Sequence, residues 1–380
     1  MLLKNAEIYD ENFDLVKADI AVKDGKIDRV APNIPGDESI DLTGCLITPG
    51  FVDIHIHGCM GADTCDGIRE AVSTMAAHLV ENGVTSFCPT TMTVSPAQIE
   101  KALSAAKDCM DNPPEGASVR GVNMEGPYIS PSRRGAQKEE FVRRPDWQEF
   151  RRMFDGCGGI VKLVDVAPER DGAEDFIRRV SQYCRVSLAH TDADYEQSKA
   201  SFDWGITHAT HLFNAMNGLN HRAPGAVGAV MDDERVRAEI ICDGFHIHPA
   251  VLRTVFKELG EDRTVVISDS MRAAGLPDGV SELGGQTVYV KDGRARLADG
   301  TIAGSTTNLA QEVKNLISFG VPARQVIKSV TINPAKEIGA DDEIGSIKAG
   351  KQADLVVMDN NFNIKLVLVQ GKVSVNRMQA

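Results

Sequence analysis

Two histidines, His55 and His57, stand one residue apart at the end of the apolar run Phe51–His57. If this run is a β-strand, side chains two positions apart point to the same side, so both imidazoles can face one point. Gly58 follows directly and permits a sharp turn of the backbone. Such a pair is typical of metal ligands, and the alternative is two histidines with ordinary surface or core roles.

Four more polar side chains each stand where an apolar run stops: Glu125, His190, His211 and Asp269. Taken alone, Glu125 also fits a solvated loop. Desolvated imidazoles and carboxylates each need a partner, however, and one divalent metal can satisfy several of them together. Imidazole and carboxylate ligands suit zinc, iron or manganese at a hydrolytic centre. The combined pattern predicts a divalent metal site.

The elements that must position these residues are short apolar runs alternating with longer helical stretches, which is typical of βα units and a parallel sheet. Eight such units in roughly 250 residues fit a TIM barrel, whose strand ends open on one catalytic face. An open doubly wound sheet is less favoured, because neither GxGxxG nor GxxxxGK[ST] occurs. The predicted strands are Phe51–His57, Val84–Cys88, Val119–Glu125, Lys162–Val166, Val186–His190, Ile206–His211, Ala238–Cys242 and Val265–Asp269.

Both ends of the chain read instead as short strands and turns, too few at either end to bury a core alone. We therefore predict an α/β protein with a TIM (β/α)8 barrel over residues 49–340. A small β-sandwich domain is predicted from the two termini, residues 1–48 and 341–380. The hairpin pattern Gln286–Leu297 is a further candidate strand pair for that small domain.

Composition excludes several classes of function. The 380 residues carry 41 Lys and Arg against 54 Asp and Glu, a formal net charge of −13. This balance argues against nucleic acid and against an anionic membrane as partner. No stretch approaches the roughly 20 apolar residues of a spanning helix, and residues 1–5 become polar too soon for a signal peptide. The eight cysteines contain no CxxC pair, which indicates reduced thiols in a cytoplasmic protein.

Several segments resemble a known family. Pro49–Gly58 resembles the first-strand signature of the amidohydrolase superfamily of metal-dependent hydrolases. Met124–Pro127, His211–Met216, Ala223–Gly225 and Ser268–Asp269 are more specific. They resemble the deacetylases that act on N-acetylglucosamine 6-phosphate. The resemblance covers nearly the whole chain and implies hydrolysis of N-acetyl-D-glucosamine 6-phosphate to D-glucosamine 6-phosphate and acetate in amino-sugar catabolism.

The resemblance also implies a set of metal ligands. Glu125, His190 and His211 would hold the principal ion, and His55 and His57 would hold a second ion that Glu125 bridges. Some members lack the histidine pair and use one metal, so one or two divalent ions per chain are both open. Zinc and iron are the expected metals, and manganese is a further candidate.

The same resemblance implies the catalytic and substrate-binding roles. Asp269 would accept a proton from the metal-activated water and pass it to the leaving amine. His246 would donate to the substrate near the acetamide carbonyl. The backbone N–H groups of Asn214 and Ala215 would bind the phosphate, together with the Arg222 guanidinium of a neighbouring subunit, which makes the expected assembly a homodimer.

Three further contacts to the sugar are expected from Ala136 and from the loop containing Ala303 and Gly304. Many family members carry histidine where this chain has Gln137, so no imidazole role is transferred to that position. His208 is expected to face away from the shared site, because its position in a regular strand differs from that of His211 by an odd number of residues.

Three alternatives stay open. The first is the same reaction on the galactosamine epimer of the substrate. The second is a cyclic-amide hydrolase, such as a dihydroorotase or hydantoinase, which should show a metal-bridging lysine on strand four. Lys162 stands at the wrong end of that strand for this role. The third is a catalytically silent scaffold, which should have lost Asp269 or the pair His190 and His211.

Overall fold

The computed structural model describes residues 1–36 and 38–378. Asp37, in the predicted segment 1–48, and residues 379–380, in the predicted segment 341–380, lie outside the described residues. The strands are β1 (Leu2–Tyr9), β2 (Leu15–Lys23), β3 (Lys26–Ala31), β4 (Ser39–Asp41), β5 (Leu46–Pro49), β6 (Phe51–Ile56), β7 (Gly58–Cys59), β8 (Ala62–Asp63), β9 (Val84–Thr91), β10 (Ser118–Val119), β11 (Val122–Tyr128), β12 (Val161–Val166), β13 (Arg185–Leu188), β14 (Ile206–Ala209), β15 (Arg237–Ile240), β16 (Thr264–Val266), β17 (Gly279–Leu283), β18 (Gln286–Lys291), β19 (Arg294–Arg296), β20 (Leu355–Met358), β21 (Ile364–Val369) and β22 (Lys372–Asn376).

The helices alternate with the middle strands and then cover the last part of the barrel. They are α1 (Arg69–Glu81), α2 (Pro96–Asp111), α3 (Trp147–Gly156), α4 (Ala173–Val180), α5 (Tyr195–Trp204), α6 (Gly225–Asp232), α7 (Pro249–Arg263), α8 (Leu309–Ser318), α9 (Ala323–Val330) and α10 (Ile332–Glu337). No helix in the described part of the chain is both long enough and apolar enough to cross a membrane.

The predicted α/β barrel is confirmed. Strands β6, β9 and β11 to β16 are parallel neighbours in that order, and β10 adds a short edge to β9. The backbone N–H of Asp269 donates to the carbonyl of His55 at 2.9 Å, and that of His57 donates to Ser270 at 2.9 Å. These bonds join the segment after β16 to the end of β6, so the last strand lies beside the first.

Local sequence explains why these elements form. Every residue of β6, β9 and β11 is buried, as expected for parallel strands covered on both faces. Ser95 caps the amino end of helix α2, because its hydroxyl accepts from the Gln98 N–H at 3.3 Å. Pro96 is the first residue of the helix. Helix α1 buries one apolar stripe from Ala71 to Val80 against the barrel.

The two termini form one separate sheet. Its strand order is β22, β21, β20, β5, β1, β2 and β3, with β4 paired to β1. The junction is the antiparallel pair of β20 with β5, in which Leu355 faces Pro49 and Met358 faces Leu46. Leu3, Ile20 and Leu368 belong to an apolar cluster distinct from that of the barrel. The predicted contribution of both chain ends to one β unit is therefore confirmed.

The hairpin predicted in Gln286–Leu297 exists, as β18 and β19, but it does not join the terminal domain. Strands β17, β18 and β19 form their own three-stranded antiparallel sheet. The Gln286 side-chain amide donates to the Ala136 carbonyl, and Leu283 lines the cavity described below. The expected pairing of this hairpin with the terminal domain is wrong, because its contacts draw it to the mouth of the barrel.

The strand ends lie within three residues of the predicted ends, and that of β12, Val166, is the predicted one. His190 and His211 each follow the last residue of their strand by two positions, and Asp269 follows β16 by three. All three have left-handed backbones, with φ of 43°, 30° and 46°. This conformation breaks the ladder, so the chain leaves the sheet just before each functional side chain. Glu125 differs, because β11 continues past it to Tyr128.

Candidate active site

The carboxyl ends of the barrel strands bring Glu125, His190 and His211 together. The Nε2 atoms of His190 and His211 lie 2.9 and 3.0 Å from the same carboxylate oxygen, Oε1 of Glu125. The two Nε2 atoms are 3.1 Å apart. All three residues are buried, so their ligand atoms converge on one point that could hold a cation.

A second group shares the same carboxylate. The Nε2 atom of His57 lies 3.2 Å from Oε2 of Glu125 and 3.3 Å from Oδ1 of Asp269. The Nε2 atom of His55 lies 3.8 Å from Oε1 of Glu125 and 3.6 Å from Oδ1 of Asp269. Glu125 therefore stands between two ligand groups and can bridge them.

The Nδ1 atoms, on the side of each ring away from Glu125, show how the imidazoles are oriented. Three of them face oxygen acceptors and must carry hydrogen, which leaves the inner Nε2 atoms to accept a cation or a proton. His55 Nε2 is buried without a hydrogen-bond partner in the described part of the chain. The donor set therefore fits a divalent metal. The outer pairs are His55 Nδ1 with Glu239 Oε2 (2.9 Å), His57 Nδ1 with Thr90 O (3.3 Å) and His190 Nδ1 with Arg133 O (2.9 Å).

The electrostatics of the site favour positive charge at its centre. Burial lowers the pKa of His55, but the nearby carboxylates, Glu239 foremost, outweigh it and raise that pKa to about 10. Burial likewise lowers the pKa of His57, while Glu125 and Asp269 together raise it well above its usual value. A group of residues that attracts protons so strongly also suits a divalent cation.

The two site carboxylates are held ionised. Burial raises the pKa of Glu125, but the surrounding imidazoles, His57 foremost, bring it well below its usual value. Burial also raises the pKa of Asp269, and its bond to His57 with the charge of His55 lowers it overall. Asp269 is therefore a carboxylate able to accept a proton within the site.

Three of the site residues have a strained backbone. A left-handed conformation at a non-glycine residue costs of the order of 1–3 kcal/mol, and His190, His211 and Asp269 all adopt it. The backbone carbonyl of each one accepts a hydrogen bond from a nearby loop. The His190 carbonyl accepts from Ser130 at 2.9 Å, and the Asp269 carbonyl accepts from Ser305 at 2.7 Å. The surrounding loops therefore fix the directions of these side chains.

Gln137 contacts the bridging carboxylate directly. Its Nε2 donates to Oε2 of Glu125, and its Oε1 accepts from the Thr93 N–H at 2.7 Å. Because the Thr93 N–H can only donate, the amide of Gln137 is oriented with its NH₂ group toward Glu125. The residue whose role could not be transferred from the family thus positions a candidate metal ligand.

A cavity of about 400 Å³ opens above the two ligand groups. Its wall contains most of the residues expected to contact a substrate. They are Ala136, Asn214, Ala215, His246 and Gly304. His246 donates from Nδ1 to Asp243 Oδ2 at 2.7 Å, so its Nε2 edge is left for a ligand.

Two expected contacts lie elsewhere. Ala303 is fully buried beside the wall residue Gly304. Arg222 is exposed, in a tight loop closed by a bridge between Asn220 and Ala223, outside the cavity wall of its own chain. This position leaves its guanidinium accessible to a second molecule.

Sequence reasoning missed Gln137, Glu239 and His208. Glu239 lies within the predicted apolar strand Ala238–Cys242, and His208 is predicted to face away from the metal site. His208 does avoid the metal ligands, as expected, but it is fully buried beside Glu239. A charged residue inside a buried parallel strand was the available signal, since such a charge requires a partner.

The fourth barrel strand, β12, distinguishes this site from sites in which a lysine bridges two metal ions. Lys162 lies at the amino end of β12, as expected, while the carboxyl end of that strand carries Asp165 and Val166. The Thr210 hydroxyl donates to Asp165 at 2.8 Å, and burial, with the charge of Glu125, raises the pKa of Asp165 to about 8. Glu125, which lies between the two ligand groups, is instead the residue placed to bridge them.

Comparison with known proteins identifies the family. The amidohydrolase family model matches residues 46–374, which is most of the chain. The chain belongs to the amidohydrolase family. Members of this family depend on metal, in agreement with the two ligand groups around Glu125.

Within the family, several relatives match over nearly their whole length. An N-acetylglucosamine-6-phosphate deacetylase of Bacillus subtilis is 36% identical over 383 residues, covering 98% of this chain and 97% of the relative. An N-acetylgalactosamine-6-phosphate deacetylase of Escherichia coli O157:H7 is also 36% identical, over 332 residues, covering 87% of this chain and 88% of the relative. A solved Mycobacterium smegmatis N-acetyl-D-glucosamine-6-phosphate deacetylase mutant in complex with N-acetyl-D-glucosamine-6-phosphate superposes with a TM-score of 0.94 at 31% identity, covering 99% of both chains.

Proposed function

We propose that this amidohydrolase is a deacetylase that hydrolyses N-acetyl-D-glucosamine 6-phosphate to D-glucosamine 6-phosphate and acetate, a step of amino-sugar catabolism. The observation that carries the proposal is the bridging position of Glu125 between two histidine pairs beneath an open cavity, with Asp269 beside them. Its full-length similarity to deacetylases of this phosphorylated amino sugar supports the same substrate class.

The proposed metal centre has two subsites. In the first subsite Glu125, His190 and His211 hold one divalent ion, and in the second subsite His55, His57 and Glu125 hold another. Zinc or iron is the proposed metal, with manganese as the further candidate, because imidazole and carboxylate ligands accept each of them. When bound, such ions polarise the acetamide carbonyl and activate a water molecule for attack on it.

The proposed roles of the chain's own residues follow from their positions. Asp269, an ionised carboxylate beside His57, takes a proton from the attacking water and delivers it to the departing amine nitrogen. His246, held by Asp243, donates from its free edge to the substrate near the carbonyl. Gln137 keeps Glu125 oriented through all steps of the reaction.

Phosphate binding is proposed to need a second copy of the chain. Asn214 and Ala215 line the cavity and are assigned to the phosphate, and Ala136 and Gly304 are assigned to the sugar. The Asn214 N–H donates to the His211 carbonyl at 2.9 Å, so the Ala215 N–H is the backbone donor proposed for the phosphate. Ala303 is proposed as a further backbone contact beside Gly304. Because Arg222 is exposed and outside its own cavity, we assign it to the cavity of the neighbouring subunit in a homodimer.

The proposed compartment is the cytoplasm. All eight cysteines are free thiols in the structure, and six of them are buried, as in proteins of reducing compartments. The substrate, a phosphorylated sugar, is a small molecule with no membrane or nucleic acid involved.

Acetate release tests the proposed function. The purified enzyme should release acetate rapidly from N-acetyl-D-glucosamine 6-phosphate and much more slowly from unphosphorylated N-acetylglucosamine. Equal rates on the two would reject the phosphosugar assignment. Metal analysis of protein purified without added metal should find two ions per chain, and one ion with unchanged activity in His55→Ala would reject the second subsite.

A second candidate substrate is N-acetyl-D-galactosamine 6-phosphate. The observation that favours it is the equal identity, 36%, to the galactosamine-specific relative of E. coli O157:H7. Comparing the kcat/KM values of the two epimers decides between them. The glucosamine substrate is placed first because the relative with that activity covers more of the chain.

A further inference from the structure

A line of buried charged side chains runs from the candidate metal centre to the opposite end of the barrel. We call it the axial charge chain. It begins behind His55 at the carboxyl ends of the strands and ends at arginines that occupy the first positions of β13 and β15. Its members are Glu239, His208, Glu337, Arg185 and Arg237.

The first link joins the axial charge chain to the ring of His55, in the second ligand group, and reaches only the backbone of His211 in the first. The Nδ1 atom of His55 donates to Oε2 of Glu239 at 2.9 Å, and both side chains are fully buried. The same oxygen lies 3.4 Å from the backbone N–H of His211. Glu239 therefore sets the outer side of one candidate ligand and touches the backbone of another.

The second link determines the charge of His208. Its Nδ1 lies 2.7 Å from Oε2 of Glu337, and its Nε2 lies 3.1 Å from Oε1 of Glu239. The contact between Nε2 and Glu239 is an ion pair whose angles do not fit a hydrogen bond. Among the described residues, neither His208 Nε2 nor Glu239 Oε1 has a hydrogen-bond partner. A ring with a carboxylate oxygen close to each nitrogen favours the imidazolium form, which places one positive charge between Glu239 and Glu337.

The remaining members supply the balancing charge. Arg185 Nε lies 3.2 Å from Oε2 of Glu337, and Arg237 Nη1 lies 3.0 Å from Oε1. These two arginine side chains are 27% and 31% exposed, so the axial charge chain reaches solvent at the amino ends of the strands. Burial lowers the pKa of His208, but Glu239 and Glu337 raise it to about 9, in agreement with its geometry.

Such a chain is costly as a purely structural device. TIM barrels ordinarily fill their interior with layers of apolar side chains. Replacing a buried ion pair by well-packed apolar residues is often neutral or stabilising, because desolvation offsets the attraction between the charges. A line of buried charges that ends on the outer nitrogen of a candidate ligand therefore points to a role at the site.

We propose that Glu239 and His208 are positioning residues for the second subsite, formed by His55, His57 and Glu125. Glu239 keeps hydrogen on His55 Nδ1, so Nε2 faces the metal. His208 holds the Glu239 carboxylate in place, because it stands between Glu239 and Glu337 and without it two buried carboxylates would face each other. The inference rests on the proposed two-ion centre, and it is specific to one half of that centre.

Metal titration of two variants tests the proposal. His208→Gln removes the charge, and the nearly isosteric Glu239→Gln removes the acceptor charge behind His55. The probes are Zn²⁺ titrated against a competing chelator and the visible absorption of bound Co²⁺. Both variants should bind the second ion about 10–100-fold more weakly, the usual effect of losing a partner of a metal ligand, while the first ion keeps its affinity.

The control variant is Asn333→Ala. Asn333 lies on α10 with Glu337, is fully buried and donates to the carbonyls of Glu261 and Thr264, so its loss destabilises the same end of the barrel. It should keep both ions at wild-type affinity. If His208→Gln does not fold, the affinity of Glu239→Gln for the second ion alone tests the proposal.

Three results would overturn the inference. The first is wild-type affinity for the second ion in Glu239→Gln, and the second is an equal loss of that ion in Asn333→Ala. The third is a wild-type chain that binds one ion and is unchanged in metal content by His55→Ala. None of these measurements uses the substrate, so the deacetylase assignment stands or falls separately on acetate release.

Discussion

At the scale of single residues, the site depends on carboxylates that stay ionised although they are buried. Glu125 and Asp269 do so because imidazoles surround them. Their tasks differ with their contacts. Glu125 has both oxygens engaged by histidines and Gln137, whereas Asp269 faces His55 and His57 with one oxygen only. Asp269 is thus the carboxylate left free to exchange a proton with water.

Replacing Asp269 by Asn should reduce turnover by about 10²–10⁴-fold, because the amide cannot accept the proton in general acid–base catalysis. Both metal ions should remain bound, since Glu125 and the four histidines are unchanged. Steady-state acetate release together with elemental analysis checks the prediction. Near-normal turnover in a fully loaded Asp269→Asn enzyme would remove this residue from the mechanism.

The stability of the metal-stripped protein should depend on pH through His55. Its pKa is about 10 in the folded protein and 6.5 ordinarily, so the folded state binds more protons between these values. The resulting stabilisation is complete below about pH 6.5 and is lost as the pH rises toward 10. Melting temperatures of stripped protein at pH 7, 8 and 9 should therefore fall.

The metal-loaded protein provides the comparison, because a bound ion replaces the proton on the ring nitrogen. Its melting temperature should change less over the same range, and apparent metal affinity should rise with pH. The prediction is contradicted if stripped and loaded proteins show the same pH dependence, or if His55→Asn leaves the slope of the stripped protein unchanged.

At the scale of elements, the apolar runs identified the barrel strands, because a buried parallel strand must be apolar along its whole length. Their ends were predicted to within a few residues. The position of the β17–β19 sheet was not predictable, since it depends on contacts with Ala136 that are distant in sequence. The axial charge chain was also missed. The role of Glu239 follows only from His208 on the neighbouring strand and Glu337 on α10, and strand order is needed to bring them together.

The turn after β6 should not tolerate a side chain at Gly58. A Cβ atom there would lie 2.2 Å from the carbonyl oxygen of Ala62 and 3.1 Å from the Arg272 nitrogen, so backbone must move. We expect Gly58→Ala to lower the free energy of unfolding by about 1–3 kcal/mol, as other overpacking changes do, and to weaken binding of the second ion.

The matched control for that substitution is Gly156→Ala. Gly156 ends α3, and a Cβ atom there meets nothing within 4 Å. Denaturant titration should find this variant at least as stable as wild type, with both ions present. Equal stability of the two variants would show that the turn after β6 can rearrange without cost.

At the scale of the whole molecule, the proposed dimer makes each active site depend on two chains. Arg222 is exposed in its loop, while the cavity that would use it belongs to the neighbour. The net charge of −13 does not oppose an anionic substrate strongly, because charges beyond a Debye length of about 8 Å are screened at physiological salt. The local charges, including Arg222, matter more than the total.

Hybrid dimers should reveal this sharing of residues. Asp269→Asn and Arg222→Ala chains are each impaired alone, but a hybrid of the two has one cavity with wild-type Asp269 and its neighbour's wild-type Arg222. Random reassortment of equal amounts should restore about a quarter of all sites. Acetate release from a refolded mixture checks this, and no recovery above the separate variants would place Arg222 in its own chain's site.

The terminal sheet can be completed only late in synthesis of the chain. Strand β5 remains an open edge until β20 has been synthesised, because these two strands join the sheet's two halves. At about 5–20 residues per second, the ribosome needs on the order of 15–60 s to make the chain between them. Through that interval β1 to β5 expose an unpaired apolar edge, a template for association between nascent chains. Translation speed and chaperone capture should therefore influence yield, even though neither affects the finished barrel.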